Sequence, residues 1–578
     1  MASADCSLIL FGGYSLTRYT PHADAKPVIQ AMPSPTWRLR TTAYWTALFV
    51  TVLSVPLMGE ERSERFDRDP LWDGQNHRAD NPEPRTIVQD FGYSRSAHAG
   101  GKPGEMGGFI SPAAEPAYYA KTIPTKTLGD VLTASGTLAC TGRPFHVLVG
   151  FFNNDTVNEW RTPNTIVLRL SGRGDVFYAW VEYATGRWRA GGDSPQGFPT
   201  EPDPKTGRPQ PKGFPAGGTV HKWSLRYDPN GNNGGGVVTA TIGDQTAVCH
   251  LSDGHKADGA TFNRFGLMTV SKSADTGGEL WLDDVTVNGE LADFTTDPGW
   301  EGFQNRRRYV TANVRPRFDF GYSPTQHASG RASGEVGGLI FRGDCRYPDT
   351  MAYYGDRLNE LTLEKPLRAT GKVCLRRGVS DSTVLIGFFH SKDSMMVNPS
   401  QDSGLPKNFL GVAVEGPSRE GFYFAPTYRV NGDATDNTPP HIYPDGRPHD
   451  WSLAYSPAEA GGDGRIAVTL DGQSVRLNVK QDHQAAGAHF DRFGIITTWI
   501  DGNGQHIYFD DLTYTCNQDE PRETAAGDLR SQDASAEVAV VCGAGYKSSR
   551  FVPPRGTGPS GLLKKPCRAC GTRHKSRE

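Results

Sequence analysis

The chain contains one sequence unit twice, and this duplication constrains its fold more than any other feature. The copies are residues 66–289 and 294–515. Each opens with Phe-x-x-Asp-Pro-x-Trp-x-Gly, beginning at Phe66 and at Phe294, an offset of 228 residues. Solenoid repeats are only about 20 to 50 residues long, so a period of this size indicates a whole domain with its own core. The sequence therefore predicts two tandem domains, 66–289 and 294–515.

The two copies share further landmarks in the same order. These are Asp-Phe-Gly-Tyr-Ser at 90–94 and 319–323, His-Ala at 98–99 and 327–328, Gly-Glu-x-Gly-Gly-x-Ile at 104–110 and 334–340, Ala-Tyr-Tyr at 117–119 and 352–354, Gly-Phe-Phe at 150–152 and 387–389, Arg-Phe-Gly at 264–266 and 492–494, and Asp-Asp at 283–284 and 510–511. Chance does not produce so many matches in one order.

The composition favours an all-β fold. The chain has 68 Gly and 41 Pro, and its apolar runs are short, alternating and bounded by turn residues, as at 176–181 and 237–242. Such runs predict domains of short antiparallel strands, arranged as a β-sandwich or jelly roll. The net charge of -3 gives no general attraction to nucleic acid.

The beginning of the chain carries a targeting signal. Arg38 and Arg40 precede an uncharged, largely apolar stretch that ends near Gly59. Residues 32–59 are therefore predicted to be a secretory signal peptide, and residues 1–31 a mis-called or disordered extension. An N-terminal membrane anchor is the alternative, because about 19 residues can span a bilayer. With cleavage, we expect a secreted or cell-envelope protein without a membrane span.

The tail and the cysteines give weaker signals. Residues 516–578 have no counterpart in the repeat and are predicted to be a disordered basic tail, in which Cys567 and Cys570 have zinc-knuckle spacing without a complete ligand set. Cys140 and Cys374 fall at equivalent places in the copies. The unpaired pattern of the other cysteines favours buried free thiols over a disulfide framework.

Both copies resemble the concanavalin A-like lectin/glucanase sandwich, and within it a group of uncharacterised secreted bacterial proteins. The resemblance is carried by Gly-Glu-x-Gly-Gly, Ala-Tyr-Tyr, Phe-Asp-Arg-Phe-Gly at 490–494 and Tyr-Phe-Asp-Asp-Leu-Thr-Tyr at 508–514, with altered forms of the last two at 262–266 and 281–287. It implies two tandem jelly-roll domains, each with two curved sheets face to face and with sugars held on the concave sheet.

Neither copy contains the Glu-x-Asp-x-x-Glu run of glucan-cleaving members, which supplies the two carboxylates that flank a scissile bond. The catalytic alternative is His98 with Glu105, and His327 with Glu335, as a general base and acid of a polysaccharide hydrolase or lyase. The other interpretation is structural, because Glu105 stands among glycines at a tight strand junction.

Sugar binding needs aromatic platforms beside hydrogen-bonding side chains. The candidate residues are Arg169, Tyr178, Trp180 and Tyr183 in the first copy, and Glu415, Tyr423 and Tyr428 in the second. Strand alternation places Tyr178 and Trp180 on one face. That face is either a binding platform or part of the core. Trp180 is replaced by Ala425 in the second copy, so the two copies need not bind equally.

The paired acids Asp283, Asp284, Asp510 and Asp511 are candidate ligands of calcium, the one cofactor that the sequence suggests. Adjacent strand residues point to opposite faces, so one acid of each pair could bind the ion together with loop carbonyls. The alternative is that they form ion pairs with Arg264 and Arg492.

Together these features predict a secreted, non-catalytic carbohydrate-binding or surface-interaction protein whose partner is a glycan and not a nucleic acid. Two weak sites on one chain raise the apparent affinity for a repeating polymer. A polysaccharide hydrolase or lyase on the same sandwich is the alternative, and a structural cell-envelope protein is a third.

Overall fold

The computed structural model describes residues 60–517 apart from 80–82, 142–144, 158–161, 205–206, 208, 345–349, 380, 397–402, 417–419 and 459–461. The predicted signal peptide and the basic tail beyond residue 517 lie outside these residues. Within the described part of the chain, no helix is long and apolar enough to cross a membrane.

The regular structure of the first half is built from strands. They are β1 (Glu61–Glu64), β2 (Asp73–Gln75), β3 (Arg85–Ser94), β4 (Glu105–Ile110), β5 (Tyr118–Thr127), β6 (Leu132–Cys140), β7 (Phe145–Phe152), β8 (Thr165–Arg173), β9 (Val176–Ala184), β10 (Ala190–Gly192), β11 (Pro195–Gln196), β12 (Thr200–Pro202), β13 (Pro209–Pro211), β14 (Phe214–Pro215), β15 (His221–Asp228), β16 (Val237–Ile242), β17 (Gln245–His250), β18 (Thr261–Thr269), β19 (Gly278–Val287) and β20 (Glu290–Ala292).

The second half repeats this pattern. Its strands are β21 (Glu301–Phe303), β22 (Arg306–Thr311), β23 (Phe318–Ser323), β24 (Glu335–Phe341), β25 (Tyr353–Thr362), β26 (Leu367–Gly378), β27 (Ser382–Phe389), β28 (Phe409–Gly416), β29 (Phe422–Arg429), β30 (Asp433–Thr435), β31 (His441–Ile442), β32 (Pro448–Ser456), β33 (Gly464–Leu470), β34 (Gln473–Val479), β35 (His489–Ile496) and β36 (Gly504–Thr515). The α-helices α1 (His255–Asp258) and α2 (Gln481–Ala485) are single turns. The all-β prediction is confirmed.

The strands form two antiparallel sandwiches. In the first, a front sheet of order β10-β9-β8-β7-β18-β5-β21 packs on a back sheet of order β11-β17-β16-β15-β6-β19-β4-β3-β22. In the second, the front sheet is β2-β25-β35-β27-β28-β29-β30 and the back sheet is β23-β24-β36-β26-β32-β33-β34. Alternate residues of each strand face the core between the sheets and the rest face outward, as the period of two in the sequence predicts.

The opening segment of each repeat is exchanged between the sandwiches. In the first opening segment, 61–79, β1 pairs with β36 and β2 pairs with β25 of the second sandwich. In the second opening segment, 290–311, β20, β21 and β22 pair with β19, β5 and β3 of the first sandwich. The packed units are therefore 85–311 and 318–516 with 60–79, shifted from the repeat units 66–289 and 294–515 that the sequence indicates.

The exchange is anchored in both cores. Phe66 is fully buried among residues of the second sandwich, and Phe294 is 1% exposed among residues of the first. Each phenylalanine stacks edge-on against the tryptophan of its own motif, at 5.4 Å for Trp72 and 5.3 Å for Trp300. The repeated Phe-x-x-Asp-Pro-x-Trp-x-Gly motif is thus the part of each copy that enters the other sandwich.

Other repeated motifs receive these segments. Gly104 has a φ of 118°, and a Cβ on it would lie 1.9 Å from the carbonyl oxygen of Phe294. A Cβ on Gly334, the equivalent residue, would lie 2.0 Å from the carbonyl oxygen of Phe66. The first glycine of Gly-Glu-x-Gly-Gly is therefore required because the exchanged backbone passes directly over it.

The arginine of Arg-Phe-Gly fastens the same segments. Arg264 Nη2 lies 2.6 Å from Glu301 Oε2, and Arg492 Nη2 lies 2.6 Å from Asp73 Oδ2. The alternative in which these arginines pair with the Asp-Asp acids is wrong, because the exchange brings a different acid to each arginine. Much of the repeated sequence therefore maintains the fold.

Candidate functional site

The carboxylates of the catalytic alternative hold a loop. Glu105 is fully buried and accepts hydrogen bonds from the backbone N–H of His98 at 2.9 Å and of Ala99 at 2.8 Å. Glu335 is equally buried and accepts from the N–H of His327 and of its neighbour, both at 2.8 Å. Each carboxylate thus satisfies the backbone of the His-Ala turn.

The rings of the two histidines pack against aromatic side chains. The His98 ring stacks on Trp281 with centroids 4.6 Å apart, and the His327 ring contacts Tyr508 at the same distance. His327 Nε2 also lies 3.1 Å from Arg376 Nη1. Each histidine therefore binds its glutamate through the backbone N–H.

The Asp-Asp pairs form β-bulges. Asp284 and Asp511 have φ values of 50° and 48°, and the register of β19 against β6 shifts after Asp283. The first acid of each pair is buried and the second lies nearer the surface. Burial raises the pKa of Asp283 to about 6 and that of Asp510 to about 7, and the neighbouring acids add to the rise. Calcium binding at Asp283, Asp284, Asp510 and Asp511 stays a prediction.

The outer face of the first front sheet carries three of the predicted binding residues together. Tyr178 and Trp180 lie on this face with their rings 6.3 Å apart, while Phe177 belongs to the core. The Arg169 guanidinium lies 4.0 Å from the centre of the Trp180 ring, and its Nε donates to Glu182 Oε1 at 2.7 Å. Strand alternation therefore predicted the face of this pair correctly.

Two predicted binding tyrosines lie in the cores instead. Tyr183 is 2% exposed, and its hydroxyl lies 2.9 Å from His255 Nδ1. Tyr428 is fully buried, with its hydroxyl 3.0 Å from His483 Nδ1. Placing them on the binding face was wrong, because each is an odd number of strand positions from the outward-facing aromatic residue.

A cleft of about 250 Å³ opens on the equivalent outer face of the second sandwich. Its lining combines backbone, small apolar residues and polar side chains: Arg342, Thr383, Ser403, Gly404, Leu405, Ala413, Glu415, Asp433, Ala434, Thr435, Thr498 and Ile500. Glu415 is the predicted residue that lines it. Tyr423 lies opposite Glu415 in the neighbouring strand, and its ring contacts that of His441 with centroids 5.0 Å apart. The cleft is smaller than the ~300–1,000 Å³ of pockets that enclose drug-sized ligands.

Arg342 organises the polar wall of this cleft. Its side chain is 10% exposed, and its Nε donates to Thr383 Oγ1 at 2.9 Å. The same guanidinium pairs with Asp381 and, at 3.4 Å, with Glu415. Burial raises the pKa of Asp381, and the charge of Arg342 opposes that rise. A planar donor held between two acids is a fixed hydrogen-bonding surface.

Three replacements explain why the cleft is in the second sandwich. Arg169 stands opposite Trp180 in the first front sheet, and Ala413 stands opposite Ala425 at the same register in the second. Two positions after Trp180 in β9, Glu182 corresponds to Thr427 in β29 of the second sandwich. The large side chains therefore fill the outer face of the first sandwich, and small ones leave space on the second.

The sequence reasoning missed most of the cleft. Arg342 follows β24, Ser403 lies in a loop, and Asp433 comes from the short strand β30. Arg342 and Asp433 are 91 positions apart in the sequence, and no motif marks any of these residues. The sequence offered one signal that space opens on the second sandwich, which is the replacement of Trp180 in the first copy by Ala425 in the second.

No family model matches the chain, and no curated protein matches it. Among solved structures it is similar to the crystal structure of the LG1-3 region of the laminin alpha2 chain, with 9% sequence identity and a TM-score of 0.19. The match covers 71% of this chain, which spans about 63% of the laminin chain. The strand pairing of this chain itself defines the two β-sandwiches.

Proposed function

We propose that the protein is a secreted, non-catalytic carbohydrate-binding protein and that the cleft of the second sandwich is its principal sugar site. The observation that carries this proposal is the lining of the cleft. Arg342, Glu415 and Asp433 surround a space that is open to solvent on the outer face of a sheet. Sugar hydroxyls both donate and accept hydrogen bonds, so a fixed guanidinium between carboxylates is complementary to them.

The size of the cleft favours one sugar unit of a longer chain over an enclosed ligand. The first sandwich contributes a different surface, in which the rings of Tyr178 and Trp180 lie side by side and Arg169 covers one side of the Trp180 ring. Apolar ring faces of sugars stack on such aromatic side chains, so this surface suits an extended polymer without enclosing it. Two unequal surfaces on one chain raise affinity for a repeating glycan through effective concentration.

The loop-holding role of Glu105 and Glu335 weighs against the hydrolase or lyase alternative at those residues, since both oxygens already accept backbone hydrogen bonds. The alternative of a structural envelope protein predicts no sugar binding at all. Both alternatives are therefore separated from the proposal by the same experiment.

The test is a pull-down of the full chain on a panel of soluble and insoluble polysaccharides, with reducing ends measured on the same samples. We expect binding without new reducing ends. Asp433→Ala should weaken it at least about tenfold, because a charge-assisted hydrogen bond contributes about 1.5–3 kcal/mol. Lys222→Ala, an exposed position on the back sheet, is the control and should bind normally. Binding to no polysaccharide, or equal binding by Asp433→Ala, overturns the proposal, and new reducing ends establish an enzyme.

A further inference from the structure

Two histidines and an aspartate converge at one end of the front sheet of the second sandwich. His390 follows β27, Asp393 begins the 3-10 turn Asp393–Met395, and His489 opens β35. Their ligand atoms all lie within 4.8 Å of one another. His489 Nε2 lies 2.9 Å and His390 Nδ1 lies 3.8 Å from the same oxygen, Asp393 Oδ2.

These separations suit a tetrahedral ion. Bonds of about 2.0–2.1 Å to nitrogen and oxygen place neighbouring tetrahedral ligands about 3.3 Å apart. The two separations from Asp393 Oδ2 lie on either side of that value, at 2.9 Å for His489 Nε2 and 3.8 Å for His390 Nδ1. Binding of one ion would therefore require side-chain shifts that lengthen the first separation and shorten the second.

The distal nitrogen of each histidine faces a carboxylate. Asp491 Oδ2 lies 4.0 Å from His390 Nε2, and Glu360 Oε2 lies 3.9 Å from His489 Nδ1. In metalloproteins a carboxylate hydrogen-bonded to the far nitrogen fixes the imidazole tautomer and raises its basicity as a ligand, and these two carboxylates would have to move closer to form such bonds. The backbone N–H of Asp393 donates to His390 Nδ1 at 3.1 Å, so this nitrogen is the unprotonated one, and an ion bound to it would take the place of this hydrogen bond.

The carboxylate is itself held in place. Asn408 Nδ2 donates to Asp393 Oδ2 at 3.0 Å, and the two imidazole rings stack with centroids 4.5 Å apart. The side chains of His390, Asp393 and His489 are 18%, 35% and 43% exposed, so solvent reaches the cluster. A fourth coordination position would face water.

We propose that His390, Asp393 and His489 bind one divalent transition-metal ion of the zinc type, with the fourth position open to water or to a ligand. Two imidazoles and one carboxylate form a donor set that suits zinc and its neighbours, whereas calcium and magnesium prefer oxygen ligands throughout. This site is distinct from the candidate calcium ligands at the Asp-Asp bulges and does not depend on the sugar-binding proposal.

The first sandwich supplies a natural comparison. At the corresponding positions it has Asn153 and Thr261, and Asn153 Nδ2 donates directly to Thr261 Oγ1 at 2.8 Å. Asn263 Nδ2 donates to Asn154 Oδ1 at 2.7 Å in the same network. The same ends of the sheet are thus held by neutral hydrogen bonds in one sandwich and by metal-ligating side chains in the other.

The experiment measures Zn²⁺ affinity and stoichiometry by calorimetry, and the visible absorption of bound Co²⁺, on the full chain. Every protein carries Cys567→Ser and Cys570→Ser, because that pair has zinc-binding spacing. We expect one ion per chain. The double variant His390→Asn/His489→Thr, which installs the residues of the first sandwich, should bind more than about 100-fold more weakly, since loss of an outer-shell partner alone costs about 10- to 100-fold.

Asp393→Asn keeps both imidazoles and removes only the carboxylate ligand. It tests the metal site even if the double variant does not fold. It should bind at least about tenfold more weakly. His449→Asn is the matched control, since His449 pairs with Asp471 at 2.6 Å outside the cluster, and its affinity should be unchanged. Absence of saturable binding by the parent chain, or equal affinity of the parent and Asp393→Asn, overturns the proposal.

Discussion

The indole ring of Trp72 lies edge-on to the phenol ring of Tyr514, with centroids 6.2 Å apart. Trp72 belongs to the opening motif of the first repeat, and Tyr514 lies in the last strand of the second. Their contact closes the second sandwich with residues from the two ends of the described chain. The stability of that sandwich therefore depends on a segment that the sequence assigns to the other copy.

Trp72→Ala is expected to destabilise the second sandwich by about 3–5 kcal/mol, because it removes a large side chain from a packed core. Chemical denaturation monitored by tryptophan fluorescence measures this. Leu71→Ala, at a neighbouring side chain that is 80% exposed, is the control and should change stability by less than about 0.5 kcal/mol. Equal effects of the two substitutions would contradict the exchange.

Fragments with different boundaries should differ in stability. A fragment of residues 85–311 retains β21, β22 and Phe294 in the first sandwich, and we expect a cooperative thermal transition. A fragment of residues 66–289 loses all three and leaves the edges of β3 and β5 uncovered, so it should melt at a lower temperature or remain unfolded. Calorimetry compares them. A higher melting temperature for 66–289 would show that the exchange does not stabilise the sandwich.

The contribution of Asp510 to the free energy of unfolding should fall as the pH rises. Burial, followed by the charges of Asp511 and Glu335, raises its pKa from 3.8 to about 7. The folded chain therefore holds a proton that the unfolded chain releases, so this contribution is complete below about pH 4 and disappears as the pH rises through about 7. Urea unfolding across this range should show a shallower pH dependence for Asp510→Asn.

Asp283→Asn is the companion variant in the first sandwich. Its pKa is raised to about 6, so the substitution should flatten the pH dependence over a range that ends at lower pH than for Asp510→Asn. If both variants keep the parent pH dependence, then the aspartates are not protonated in the fold near neutral pH.

The thiols of Cys140 and Cys374 should resist alkylation in the folded protein. Both are buried free thiols, and burial raises the pKa of each to about 12, so almost no thiolate forms near neutral pH. Mass spectrometry of peptides after iodoacetamide treatment tests this, with a denatured sample as the control. Rapid labelling of either cysteine without denaturant would contradict its buried position.

Periodicity and duplication were enough to predict the all-β class, the two sandwiches and the outward direction of Tyr178 and Trp180. These properties follow from local chemistry, since strand alternation and turn residues act over a few positions. The same alternation places Tyr183 and Tyr428 toward the cores, because each lies an odd number of positions from the outward aromatic residue of its strand, and the prediction of these two as binding residues did not take it into account.

The sequence by itself determined that the chain folds as two related β-sandwiches and which motifs recur in both. The tertiary structure decided which copy each opening segment completes, because Phe66 packs in the core of residues 318–516 and Phe294 packs in the core of residues 91–287. It also decided where the cleft and the His390, Asp393 and His489 cluster form. Such sites depend on side chains from separate strands and loops, and their proximity is set by packing and not by sequence spacing.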